Sequence, residues 1–238
     1  MNILELSKGN NTSTQIDDFT SKKRKKKLII ILSIIVGVLL LLLIIRLVYA
    51  YIMYKIYAKP MVSNDKLVYV MDDETGTLYD ASIDNADYKM AASVGKFPYW
   101  NGGLVSTQIL DNTVIDHDNK LANEIELNLT YSVKLDGTVT YFVDVSKMKL
   151  NEKVNEIGVI PVKSARIYFT PALEFIEGKG TVGIGNDVRD LTDSEVKEFF
   201  EENKSSVKDY LEKMWDFFGK DNFKKQDKAV KQKDRNHR

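Results

Sequence analysis

Residues Glu124–Val145 read EIELNLTYSVKLDGTVTYFVDV, and this stretch decides the fold. Ile125, Leu127, Leu129, Tyr131, Val133 and Leu135 alternate with Glu124, Glu126, Asn128, Thr130, Ser132 and Lys134. A period of two over a dozen residues marks a strand with one buried and one wet face. After Asp136-Gly137 the alternation resumes at Val139, Tyr141, Val143 and Val145. A two-residue Asp-Gly turn would set Leu129 opposite Asp144 and mix the two faces. A three-residue loop, Leu135-Asp136-Gly137, pairs Val133 with Val139, Tyr131 with Tyr141 and Leu129 with Val143, which keeps one apolar face. Gly137 then takes the left-handed position of a bulged three-residue hairpin.

Upstream, Leu67-Val68-Tyr69-Val70-Met71 and Thr77-Leu78-Tyr79 flank the turn residues Asp72–Gly76 and read as a strand pair. Asp84–Ala92 is expected as a short helix. Phe97-Pro98-Tyr99-Trp100-Asn101-Gly102-Gly103 reads as a loop with buried aromatics, and Leu104–Ile115 as a strand broken near Asp111-Asn112. Downstream, Val154–Val162 and Ala165–Thr170 supply more strand. Leu173–Ile176 and Thr181–Ile184 flank Glu177-Gly178-Lys179-Gly180 and are expected as a further hairpin. Pro161 and Pro171 are expected at strand ends or edges.

The pattern then turns helical. Leu191-Thr192-Asp193-Ser194-Glu195-Val196 is a helix start, with Thr192 as N-cap, Glu195 closing a capping box, and Leu191 stapling onto Val196. Val196, Phe199, Phe200, Val207, Tyr210, Leu211, Met214 and Phe218 fall on one helical face, and Gly219 is the expected stop. That spacing predicts a helix of about 26 residues, roughly 40 Å long, with a break conceivable near Asn203–Ser206. Strands first and one long amphipathic helix last predict an α+β domain on an antiparallel sheet.

At the other end, Leu28–Ile45 contains no charge and is nearly all Leu, Ile and Val. A run apolar on every side predicts a membrane span. Arg46 can snorkel, and Tyr49, Tyr51, Tyr54 and Tyr57 fit an aromatic belt. The expected layout is a basic cytoplasmic tail over 1–27, an anchor helix over 28–58, an external domain over 62–219 and a basic disordered tail over 220–238. Lys22, Lys23, Arg24, Lys25, Lys26 and Lys27 precede the span without a break, so the positive-inside rule puts the N-terminus in the cytoplasm and the C-terminus outside. A cleaved signal peptide is the competing reading. Its apolar region runs about 7–15 residues, shorter than this one, and Arg46 would sit beside the cut.

The formal net charge of the 238 residues is zero, yet it is divided. Residues 60–219 carry 16 positive and 28 negative charges, between basic ends. An acidic folded part repels phosphate, which argues against nucleic acid as its partner. Cysteine is absent and histidine numbers two, so disulfide scaffolds, thiolate catalysis and ordinary zinc sites are excluded. Ser-x-x-Lys occurs five times without its companion motifs. Gly183-Ile184-Gly185 lacks the third glycine of a dinucleotide loop and reads as hairpin glycine. Asp72-Asp73-Glu74 and Asp116-His117-Asp118-Asn119 offer oxygen ligands, but Lys120, Leu121 and Leu127 break the calcium-loop pattern; both read as solvated turns. No cofactor, metal or catalytic residue is expected.

These features predict a non-enzymatic single-pass protein whose partners are the lipid bilayer and other membrane or envelope proteins. The layout fits an accessory subunit of a cell-envelope complex such as a secretion or conjugation apparatus. An external ligand- or ion-binding sensor, with a pocket lined by Phe97, Tyr99 and Trp100, is the first alternative. A glycan- or peptide-processing enzyme with two close carboxylates is the second. Other proteins are expected to bind through the sheet or through the Val196–Phe218 face, a candidate partner helix. The tail residues Lys224, Lys225, Lys228 and Lys231 are a candidate surface-binding segment.

Overall fold

A computed structural model of the chain describes residues 10–72, 76–83, 87–111, 124–151 and 158–224. The chain divides into two compact units, Met1–Tyr49 and Ala50–Arg238. The first consists of helix α1 (Asn10–Met53) up to Tyr49. Leu28–Ile45 is exposed throughout, and α1 is long and apolar enough to cross a membrane. It also begins well inside the polar tail, at Asn10. Once the apolar run has met the cost of nucleation, each further residue adds a hydrogen bond to an existing helix.

The second unit begins earlier than the expected anchor ends. Ala50 and Met53 in the last turn of α1, Ala58 in a π-helical turn (Tyr54–Ala58), and Met61 in α2 (Lys59–Val62) are all buried in its core. Tyr54 and Tyr57 pack against that core, so only Tyr49 and Tyr51 of the proposed belt stay exposed.

Nine strands follow: β1 (Val68–Asp72), β2 (Gly76–Ser82), β3 (Tyr88–Gly95), β4 (Gly103–Asp111), β5 (Ile125–Lys134), β6 (Val139–Asn151), β7 (Gly158–Phe169), β8 (Phe175–Ile184) and β9 (Asp187–Asp190). They form one antiparallel sheet in which each strand pairs with its neighbours in sequence. Helix α3 (Asp193–Phe218) closes the fold, which makes the domain α+β.

The β5–β6 hairpin has the three-residue loop and the register that the alternation demands: Val133↔Val139, Tyr131↔Tyr141, Leu129↔Val143. Lys134 N–H donates to Thr138 O at 2.9 Å and Gly137 has φ +85°. Register then carries the apolar face across the sheet. Ile109, Leu129, Val143 and Ile167 stand side by side on β4–β7, all fully buried. Thr107, Tyr131, Tyr141 and Phe169 form the next row. The threonine of this row is bonded to the helix: Thr107 Oγ1 donates to Met214 Sδ at 3.7 Å.

Three local expectations are corrected. Of the helix expected over Asp84–Ala92, Tyr88–Ala92 instead belong to β3, while Asp84–Ala86 lie outside the described residues. Alanine favours helix weakly, but Met90, Ala92 and Val94 alternate into the core and both edges of the strand are paired; tertiary pairing overrides propensity. The hairpin expected at Glu177–Gly180 is the middle of the unbroken strand β8. Its glycines are there for close approach rather than for turning. A Cβ at Gly178 would stand 2.7 Å from Val196 Cγ1 and 2.9 Å from Arg166 O, and one at Gly180 would stand 2.7 Å from Ala165 Cβ. The turn lies later, between Ile184 and Asp187, where Gly185 has φ +64°. Pro161 sits inside β7, not at its end. It falls where the β6–β7 register shifts, between Lys147 and Met148, and a bulge tolerates the missing donor.

Helix α3 runs 26 residues without a break. Thr192 Oγ1 accepts from Glu195 N–H at 3.3 Å, and Glu195 Oε2 accepts from Thr192 N–H at 2.9 Å, completing the capping box. Arg189, then Thr192, hold the Glu195 carboxyl at about 2, below its ordinary 4.5. Past Gly219, residues 220–224 form one more helical turn, and Phe223 is buried with its ring 4.8 Å from Tyr131.

Val196 rests on Gly178, so the helix depends on that missing side chain. Gly178→Ala is expected to lower stability by about 1–3 kcal/mol, the usual cost of overpacking. Lys179→Ala, at the exposed position beside it, should stay within about 0.5 kcal/mol. Chemical denaturation of the two variants measures the difference.

Candidate functional site

The apolar face of α3 was the leading candidate surface in the sequence, and the structure fills it. Val196, Phe199, Phe200, Val207, Leu211, Met214 and Phe218 are all buried. They pack on β4, β5, β7 and β8 of their own sheet. Phe200 lies 5.6 Å from Phe169 and 6.2 Å from Phe175, ring centre to ring centre. Helix amphipathicity reports that a face must be covered, not by what. Here the covering surface is the domain's own sheet.

Tyr210 is the half-buried exception on that face. It lines a recess of about 440 Å³ with Asp111, Glu124, Ile125, Leu127, Asn203 and Asp209, where α3 passes the ends of β4 and β5. Burial, then the Asp111 charge and a hydrogen bond to it, push the Tyr210 phenol well above its ordinary 10; Asp209 and Asp87 add to this. Tyr210 therefore keeps its proton. Asp111 Oδ2 also accepts from Leu127 N–H at 3.3 Å, while Asp111 N–H donates to Asn128 Oδ1 at 3.0 Å. The arrangement is a polar latch joining α3 to the β4–β5 pair. Lys213 lies 4.8 Å above the Tyr88 ring and 5.1 Å above that of Tyr210, which steadies the same corner.

A second recess, about 450 Å³, opens on the outer face of β6–β9. Its centre is the cross-strand pair Asp144–Arg166, bonded twice, at 2.7 and 2.9 Å. The guanidinium stacks 4.8 Å from the Phe142 ring. The Asp144 carboxylate takes two of the five guanidinium donors and neutralises the charge, so the pair acts as a brace across β6 and β7.

The aromatic loop does not form the expected pocket. Tyr99 is only 2 % exposed, whereas Phe97 and Trp100 are 51 % and 69 % exposed. Tyr99 turns inward because it alone adopts a left-handed backbone, φ +64°, between the other two. Burial, then Tyr54 and Tyr79, push its phenol up to about 12.

The basic block Lys22–Lys27 lies on α1, with Arg24–Lys27 exposed. The side chains of Lys22 and Lys23 lie outside the described residues. Lys224 ends the last helical turn, exposed and 3.8 Å from Asp221; Lys225, Lys228 and Lys231 lie outside the described residues. So do Asp73, Glu74 and Asp116–Asn119 of the oxygen-rich stretches. Among the described residues no three His, Cys, Asp or Glu side chains cluster as metal ligands.

The sequence names the sheet as a binding surface, and the structure adds which part of it is open, the β1 edge. Val68 and Tyr69 on β1 are 67 % and 51 % exposed, and among the described residues nothing pairs with the outer side of β1. At the opposite edge, β9 reads Asp187-Val188-Arg189-Asp190. The signal in the sequence was an apolar run, Val68–Met71, at the start of a meander, where it had to become an edge.

No protein-family model, curated protein or solved structure matches the chain.

Tyr210→Phe removes the hydroxyl that shares this recess with Asp111. A loss of about 1–3 kcal/mol is expected, read from the denaturation midpoint. A change below that range would show that water replaces the phenol at no cost.

Proposed function

We propose that this chain is a single-pass membrane protein with a cytoplasmic N-terminus and an external α+β domain, serving as a non-enzymatic accessory subunit of a cell-envelope complex such as a secretion or conjugation apparatus. Its domain binds other proteins through the β1 edge of the sheet. The single observation that carries this reading is the contrast between the two edges.

An unpaired edge offers a row of backbone donors and acceptors to any extended chain, and soluble proteins blunt it with charge, proline or very short strands. β9 is blunted in this way, with four residues, three of them charged and all exposed. β1 carries four apolar residues before Asp72, and its exposed Val68 and Tyr69 would otherwise favour aggregation. Strand addition to such an edge draws affinity from main-chain hydrogen bonds and specificity from alternate side chains. Tyr69 is already braced for that role by an edge-on contact with Tyr79, its cross-strand partner, at 5.6 Å. The exposed apolar helix supports anchoring, and Lys22–Lys27 supports the orientation by the positive-inside rule.

The test is the assembly state of the full chain extracted from its own membranes in mild detergent. The wild-type chain is expected to migrate well above its 27.2 kDa. Val68→Lys/Tyr69→Lys should release it as a lone chain with an unchanged melting temperature. A wild-type chain that runs alone contradicts the reading.

A further inference from the structure

We propose that the β3–β4 loop is a second membrane contact, with Phe97 and Trp100 seated among the headgroups of the bilayer that holds the anchor. The proposal rests on the anchored reading above and goes beyond it, because it gives the folded domain its own lipid-binding side chains.

The loop is built to hold a shape. Tyr99 N–H donates to Lys96 O at 2.7 Å, Gly102 N–H to Tyr99 O at 3.0 Å, and Leu135 N–H to Gly102 O at 2.8 Å. A side chain at Gly95 would collide with the Gly103 carbonyl, so the two strands pinch together at the base of the loop. Buried Tyr99 plugs it into the core, and the Phe97 ring meets Tyr99 edge-on at 5.7 Å. A pinned loop that turns Tyr99 inward thus presents Phe97 and Trp100 outward. Two large aromatics exposed on one short, pinned loop match the composition of an interfacial anchor.

Chain connection identifies the surface. The π-helical turn Tyr54–Ala58 packs against β4, the strand that leaves the loop. Met53 Cε stands 4.0 Å from a Cβ built on Gly137, in the turn that Gly102 bonds through Leu135. The domain therefore begins, at Ala50, on the same end of the sheet as the loop. The uncharged stretch that starts at Leu28 runs to Ile45, and Arg46 stands four residues before Ala50. A hydrocarbon core about 30 Å thick takes about 20 helical residues, which from Leu28 ends near Leu47. Ala50 is then at headgroup depth, where tryptophan and other aromatic rings partition favourably.

The test uses the full chain in phosphatidylcholine vesicles, with and without lipid brominated on the upper acyl chain. The chain has two tryptophans, Trp100 and Trp215. Subtracting the emission of Trp100→Phe from that of the wild type isolates Trp100 and leaves Trp215 untouched. Its emission is expected to be blue-shifted and extinguished by brominated lipid. Trp100→Phe/Leu40→Trp reports the span independently. A quenched Leu40→Trp with unquenched, water-like Trp100 emission overturns the loop contact and leaves the anchor standing. If neither is quenched, the anchored reading fails and the loop contact fails with it.

Discussion

The rest of the domain depends on one contact, the seat of α3 on the inner face of the sheet. Seven apolar side chains of the helix are buried there, and each contributes about 1.5–3 kcal/mol on leaving water. The capping box at Thr192 and Glu195 adds about 1 kcal/mol. Packing, not capping, therefore holds the helix, and the cap decides only where it begins. The seat in turn requires the sheet to present apolar side chains on one face from β3 to β8. That requirement fixes the β5–β6 register, because a shift of one residue would turn Leu129 and Tyr131 outward. It also explains Gly178 and Gly180, which lower the floor of β8 under the start of the helix.

Filling that face moves the functional question to the periphery. A meander whose strands pair only in sequence order leaves two edges, and this one treats them unequally. β9 is short and charged, and Arg189 is tied to Glu195 at 2.7 Å, so that edge is stapled to the cap of α3. β1 has no such device. The end of the sheet where Ala50–Val62 packs is different again: a turn of π-helix, rare and often found at functional sites, packs against β4, the strand that follows the aromatic loop. One edge for a protein strand and one end for lipid divide the surface without competing for the same residues.

Much of this was legible in the sequence where the physics is local. The period of two over Glu124–Val145 gave the hairpin, its loop length and its glycine. The Thr192–Glu195 pair and the 3.6-residue spacing gave the helix and both its ends. Failures came where one residue type serves two purposes. Glycine marks turns, but Gly178 and Gly180 answer to Val196 and Ala165, which are distant in sequence. Alanine favours helix, but Ala91 and Ala92 lie between two strands that pair with them. An amphipathic face announces burial without naming its cover, so the α3 face looked like a partner site. Tyr54 and Tyr57 looked like interfacial aromatics because apolar sequence next to a span cannot be told from core by composition.

Hydrogen exchange on the full chain in detergent measures the central contact directly. If α3 is seated on the sheet as described, amides of Phe199–Leu211 exchange as slowly as those of Leu129–Val133 and Val143–Ala165 within the described strands, and they open as one unit. Gly178→Ala should then accelerate both sets together. Helix amides that exchange early while the strands stay protected would contradict the account, because they would show the apolar face free to leave its sheet.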